Sequence, residues 1–127
     1  MPQTAPVIAV IDDDASVRRA VQRLLQAAGW TVETFATARA FLEAGERARP
    51  ACLVLDVHLP GMSGLQLQEH LAAAGAALPI VFITAYDDEA TRARVQRAGA
   101  VAYLRKPFEQ GTLLEAVSRA IGREASA

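Results

Sequence analysis

Apolar residues along this chain gather into five short runs: VIAVID (from Val7), TVETFA (from Thr31), CLVLDV (from Cys52), PIVFITA (from Pro79) and VAYLRK (from Val101). Three of them are almost continuously hydrophobic, the pattern of parallel strands covered on both faces. The second alternates more, which suits a strand nearer an edge. Between the runs the apolar residues change period. From Ser16 onward Val17, Ala20, Val21, Leu24, Leu25 and Ala28 recur at steps of three and four, and Gly29 closes the segment, as an amphipathic helix would. Similar helical stretches begin near Ala38, Gly64, Glu89 and Glu109.

Strand and helix thus alternate five times, which predicts a parallel α/β sheet with right-handed crossovers and helices on both faces. The expected fold is doubly wound and five-stranded. At this size a flavodoxin-like strand order, 2-1-3-4-5, is expected, although periodicity alone does not fix the order. No internal repeat or low-complexity tract interrupts the pattern. We therefore expect one domain over residues 1–127, with its core at about 7–121 and short tails, the last being GREASA.

Composition narrows the function. The chain of 127 residues is 52% hydrophobic and 21% charged, with a formal net charge of −1, which suits a globular domain with a single core. Lys and Arg form no basic stripe, so direct nucleic-acid binding by this segment is not expected. The single cysteine, Cys52, lies in an apolar run and reads as a small buried hydrophobe. The first residues, MPQTAP, lack a basic start and an apolar signal core. No apolar run approaches the roughly 20 residues of a membrane span, and a cytoplasmic location is expected.

In such sheets ligands bind beyond the carboxyl ends of the strands. The first strand delivers Asp12-Asp13-Asp14 there, the third Asp56, the fourth Thr84 and the fifth Lys106-Pro107. Asp14 fits the N-cap of the first helix. Clustered carboxylates repel one another and need a cation, and Mg²⁺ suits them because it favours oxygen ligands and needs only one or two carboxylates. Asp56, beside a metal and Lys106, could then attack phosphorus to form an aspartyl phosphate. Lys106 would neutralise phosphoryl charge while the Thr84 hydroxyl offers a hydrogen bond. Each residue alone has an ordinary reading as a cap, a strand-end threonine or a solvated charge; the combination points to a site.

The elements VIDDDASVRRAVQRLLQAAGW, CLVLDVHLPGMSGLQL, LPIVFITAYDD and AGAVAYLRKPF, in this order, resemble a bacterial response-regulator receiver domain, more narrowly the FixJ-type receivers. The resemblance runs from Val7 to about Ile121. It implies that Asp56 accepts a phosphoryl group from the phosphohistidine of a sensor histidine kinase. It further implies that Asp13, Asp56 and the backbone carbonyl of His58 bind Mg²⁺, with Asp12 helping through water. Thr84 and Lys106 match the family's hydroxyl switch and phosphate-contacting lysine, Tyr103 its switch aromatic, and Pro107 the proline preceded by a cis peptide. His58 and Tyr86 match positions that tune the lifetime of the phosphoryl group. The first helix, including Arg18 and Gln22 as exposed residues, would dock the kinase. A phosphorylation-dependent homodimer would form through the fourth helix and fifth strand, where Arg92, Arg94 and Arg105 lie.

Neighbouring readings fit less well. A flavin-binding module needs a neutral phosphate loop where Asp12–Asp14 stand. A haloacid-dehalogenase-type phosphatase needs an aspartate two residues after the nucleophile, where His58 stands. A degenerate scaffold would lack a key residue, and none is missing. His70, with no Cys or His nearby to complete a zinc site, reads as a surface residue. PGMSG reads as a tight loop in which Gly61 and Gly64 permit unusual backbone angles. Output is expected through a linked effector that controls transcription; the alternative is a stand-alone receiver acting by protein contact or as a phosphorelay intermediate.

Overall fold

The computed structural model describes residues 6–44 and 49–126. Its elements alternate throughout: β1 (Val7–Ile11), α1 (Ala15–Ala27), β2 (Thr31–Phe35), α2 (Ala38–Ala44), β3 (Cys52–Asp56), α3 (Gly64–Ala73), β4 (Ile80–Thr84), α4 (Glu89–Arg97), β5 (Ala102–Arg105) and α5 (Gln110–Ser126). The strands form one parallel sheet in the order β2-β1-β3-β4-β5. The expected topology therefore holds, with the alternating run TVETFA at one edge. The last helix continues through Ser126, past Ile121 and into the segment read as a tail.

Strand side chains alternate between two cores, as period-2 geometry requires. Ala9, Ile11, Leu53, Leu55, Ile80 and Phe82 pack with Phe41 of α2, Leu67 and Leu71 of α3 and Val95 of α4. Ile8, Val10, Cys52, Val54, Val81 and Ile83 pack on the other face with Val21 and Leu25 of α1 and Leu113 and Val117 of α5. The central strands β3 and β4 are buried along their whole length, which explains their unbroken apolar sequence. Burying a Leu, Ile or Phe side chain here contributes roughly 1.5–3 kcal/mol relative to leaving it exposed.

Cys52 is fully buried, and burial pushes its thiol up to about 12, so it serves as packing and not as a nucleophile. Trp30, half-buried in the second core, precedes β2 at the end of the sheet where the strands begin. His70 is exposed in the last turn of α3. Among the described residues no helix is long and apolar enough to cross a membrane.

Local signals set the helix starts. Asp14 caps α1, accepting from the Ser16 and Val17 amides. Ser63 and Gln66 form a reciprocal capping box at α3, and Asp88 caps α4 through the Thr91 amide and hydroxyl. Gly61 takes a left-handed φ of 76°, as its place in the loop requires. Gly64 does not share that need. A Cβ built on Gly64 would lie 2.3 Å from the Asp56 carbonyl oxygen, so glycine is required there by close approach and not by backbone angle.

Candidate functional site

The register explains how residues far apart in sequence converge. Ile11 pairs with Leu55, so Asp12 and Asp56 lie at one level where β1 and β3 end. Thr84 closes β4 opposite Arg105 of β5, and Lys106 follows directly. Its amide donates to the Thr84 carbonyl at 2.7 Å. The Lys106–Pro107 peptide is cis, as the resemblance implies.

Carboxylate oxygens of Asp12, Asp13 and Asp56 all lie within 4.8 Å of one another. Asp12 is fully buried and Asp56 is 4% exposed, while Asp13 opens to solvent. Lys106 reaches into the cluster, its Nζ 2.6 Å from Asp12 Oδ2 and 3.3 Å from Asp56 Oδ2. The His58 amide donates to Asp56 Oδ1 at 3.0 Å. Burial lifts the Asp56 carboxyl above its ordinary value; the His58 amide bond opposes this, the Asp12 charge adds to it, and Lys106 offsets it in part. Burial alone would lower Lys106, but its bonds and charge contacts to Asp12 and Asp56 hold it above the usual lysine value. The site is thus a nearly buried carboxylate with one bound cation and an open acidic side, which could hold a hard divalent metal ion.

Thr84 is fully buried, and its hydroxyl is occupied locally. It donates to the Tyr86 carbonyl at 2.9 Å and accepts from the Tyr86 amide at 3.0 Å. By strand alternation Thr84 shares the α4-facing side of the sheet with Phe82, and Phe82 pairs laterally with Tyr103. Tyr103 lies under Arg92, whose guanidinium carbon is 5.7 Å from the ring centroid. Arg92 also pairs with Asp87. The Tyr103 hydroxyl is shielded from solvent; burial first, and then the neighbouring Asp87 carboxylate, raise its pKa.

Tyr86 is 71% exposed. Its ring meets that of His58 edge-on, with centroids 5.7 Å apart. The two lifetime candidates therefore touch, and His58 is tied to Asp56 through its amide.

One expectation needs correction. Arg18 and Gln22 are half-buried, not exposed. The Arg18 guanidinium turns inward and donates to the Asp12 carbonyl at 2.7 Å; Arg19 and Arg23 are the exposed arginines of that helix. The sequence reading missed this contact and the Asp87–Arg92–Tyr103 cluster. The only signal for the first was an arginine one turn into a helix that begins at an acidic loop.

Comparison with known proteins decides the family. A family model described as "Response regulator receiver domain" matches residues 8–118. The chain belongs to the response regulator receiver domains. This receiver is 40% identical over 121 residues to nodulation protein W of Bradyrhizobium diazoefficiens, covering 95% of this chain and 53% of that protein. It is 38% identical over 125 residues to transcriptional regulatory protein FixJ of Azorhizobium caulinodans, covering 98% of this chain and 59% of that protein. The structure of response regulator StyR superposes with a TM-score of 0.89 at 46% identity, covering 97% of this chain and 62% of that one. The receiver thus spans a little over half the length of the curated relatives it matches.

Proposed function

We propose that this receiver takes a phosphoryl group onto Asp56 from the phosphohistidine of a sensor histidine kinase in a Mg²⁺-dependent transfer. One observation carries the reading: the nearly buried Asp56 ends the central strand with Lys106 3.3 Å from one oxygen and the carboxylates of Asp12 and Asp13 within 4.8 Å. An Asp56 oxygen attacks phosphorus, the phosphorus–nitrogen bond breaks, and the imidazole leaves with the electron pair.

The donor set fits Mg²⁺. Three carboxylates with oxygens within 4.8 Å of one another offer the hard oxygen donors that ion prefers; Asp13 and Asp56 would hold it directly, and Asp12, already paired with Lys106, would act through water. The His58 carbonyl would complete the protein ligands. When bound, Mg²⁺ neutralises charge on the phosphoryl oxygens and draws the Asp56 pKa back down. Lys106 would bind the phosphoryl oxygens as well, and Tyr86 with His58 screens the product from water.

Thr84 and Tyr103 form the switch. To reach the phosphoryl group the Thr84 hydroxyl gives up its two bonds to the Tyr86 backbone. The loop from Tyr86 to Asp88 then moves, and with it Asp87, Arg92 and Tyr103 on the α4–β5 face. Phosphorylation-dependent pairing of two copies through that face follows. The relatives' names, and their greater length, support an output in transcription through a linked effector domain.

The test is intact mass after incubation with acetyl phosphate, with and without Mg²⁺, alongside Asp56→Asn. A Mg²⁺-dependent gain of one phosphoryl group, lost in the variant, supports the reading. A gain that persists in Asp56→Asn rejects Asp56 as acceptor. Sedimentation of the phosphorylated and unphosphorylated forms checks the pairing.

A further inference from the structure

We propose that Arg18 is a positioning residue for the metal-binding loop, fixing the direction of the Asp13 carboxylate through the peptide that joins Asp12 to Asp13. The inference rests on the Mg²⁺ site proposed above and adds to it a residue outside the ligand set.

Asp12 is held at every polar atom. Its amide donates to the Phe35 carbonyl at 3.1 Å, Oδ1 accepts from the Asp14 amide at 2.9 Å, Oδ2 pairs with Lys106, and its carbonyl accepts from Arg18 Nη1 at 2.7 Å. Asp14 is held by its cap of α1. Asp13, between them, has a solvent-open side chain that makes no hydrogen bond or ion pair among the described residues. Its direction is inherited from its backbone. The peptide unit is planar, so a donor fixed on the Asp12 carbonyl also fixes the plane carrying the Asp13 amide. That sets the Asp12 ψ angle and the Asp13 N–Cα axis, and the Asp14 amide tied to Asp12 Oδ1 restricts the rotation about that axis, so the two contacts together aim the Asp13 Cα–Cβ bond.

The partner chosen by Arg18 is informative. A guanidinium beside three acids is expected to pair with one of them. Among the described residues Arg18 forms no ion pair, and the contact it makes is to the backbone carbonyl. The contact is a charge-assisted bond made by a half-buried side chain that leaves α1 one turn after its cap. A role in orientation and a role in charge then predict opposite signs. Removing a cation near the cluster would by charge alone tighten Mg²⁺ binding, whereas loosening the Asp12–Asp13 peptide would weaken it.

The experiment measures the Mg²⁺ dissociation constant of the unphosphorylated protein by NMR titration, following the Asp13 and His58 amides. Wild type is compared with Arg18→Met, with urea unfolding in EDTA as a control for folding. The expected result is a Mg²⁺ constant about tenfold weaker in Arg18→Met, the usual scale for losing a partner that orients a ligand. Arg18→Gln, neutral and more polar, gives the same sign test should the methionine variant be unstable. An unchanged or tighter constant overturns the proposal, as does a change confined to the EDTA urea midpoint. Failure of the wild type to bind Mg²⁺ would instead reject the metal reading itself, and the proposal with it.

Discussion

Replacing Gly64 with alanine tests whether α3 is seated directly on the backbone of the phosphoacceptor. The added Cβ would lie 2.3 Å from the Asp56 carbonyl oxygen and 3.1 Å from both the Asp56 carbonyl carbon and the Val57 Cα. Ordinary contact begins near 3.4 Å, so helix or strand must give by about 1.1 Å. No flexible side chain is available to absorb the movement, because all three atoms are backbone. Overpacking of this kind costs about 1–3 kcal/mol. The bond from the Gly64 amide to the Val57 carbonyl, 2.9 Å long, stretches with it, which adds about 1 kcal/mol. The better helix propensity of alanine returns less than about 1 kcal/mol. The net expectation is a loss of about 2 kcal/mol, or roughly 1 M in urea midpoint at a slope near 2 kcal/mol/M. A displacement of about 1 Å at a reacting group can cost on the order of 100-fold in rate, so phosphorylation by acetyl phosphate should slow at least about tenfold. Gly61→Ala is the control. Its φ is 76° and nothing lies within 4 Å of the new Cβ, so it should lose about 1 kcal/mol from backbone strain and keep the wild-type rate. A Gly64→Ala protein that phosphorylates at the wild-type rate, with a urea midpoint no lower than that of Gly61→Ala, would refute the reasoning.

Other consequences concern charge, the switch and the product's lifetime. Because burial holds the Asp56 carboxyl above its ordinary value, the native state keeps its proton more tightly than the unfolded chain, and ionisation lowers stability as pH rises through the folded pKa. In EDTA, the stability advantage of Asp56→Asn over wild type should therefore grow as pH rises from about 3.8 and level off above the raised pKa; urea unfolding across pH would contradict this with a flat or falling difference. Thr84→Ala should still accept a phosphoryl group, since Lys106 and the acids remain, yet sediment as a monomer when phosphorylated. Dimerisation equal to wild type would remove Thr84 from the switch. Tyr86→Ala, which uncovers the His58 side of the site, should shorten the phosphoprotein half-life several-fold as followed by intact mass, and an unchanged half-life would dismiss the screening role.

Much of the architecture was legible because the signals were redundant. β3 and β4 are buried on both faces, so nearly every residue is apolar, and the edge strand β2, where only Val32 is buried, is correspondingly more polar. Asp14 as a cap, Cys52 as core and His70 as surface each followed from residue type and neighbours. The convergence of Asp12, Asp56, Thr84 and Lys106 followed from topology, since parallel strands bring their carboxyl ends to one edge. What sequence did not reveal depends on distance across the fold. Gly64 looks like any loop glycine until α3 is laid against Asp56. Arg18 sits at a position of α1 that could as well face water, and its inward turn is set by the carbonyl waiting at Asp12. Thr84 was assigned a bond toward the phosphoryl group, and its present bonds to Tyr86 depend on a local turn that no periodicity encodes.

The position of Trp30 gives the molecule two separate optical channels. The chain has one tryptophan and two tyrosines. Trp30 stands where β2 begins, whereas Tyr86 lies just beyond the end of β4, and Tyr103 lies on β5 beneath Arg92. A strand of five residues spans about 17 Å, so the indole is roughly that far from the end where phosphate would arrive. Tryptophan emission should therefore follow global unfolding and stay nearly silent during phosphorylation, while tyrosine absorbance should respond to the switch. Under native conditions tyrosine absorbance can then follow activation while steady tryptophan emission shows, in the same unlabelled sample, that the fold stays intact.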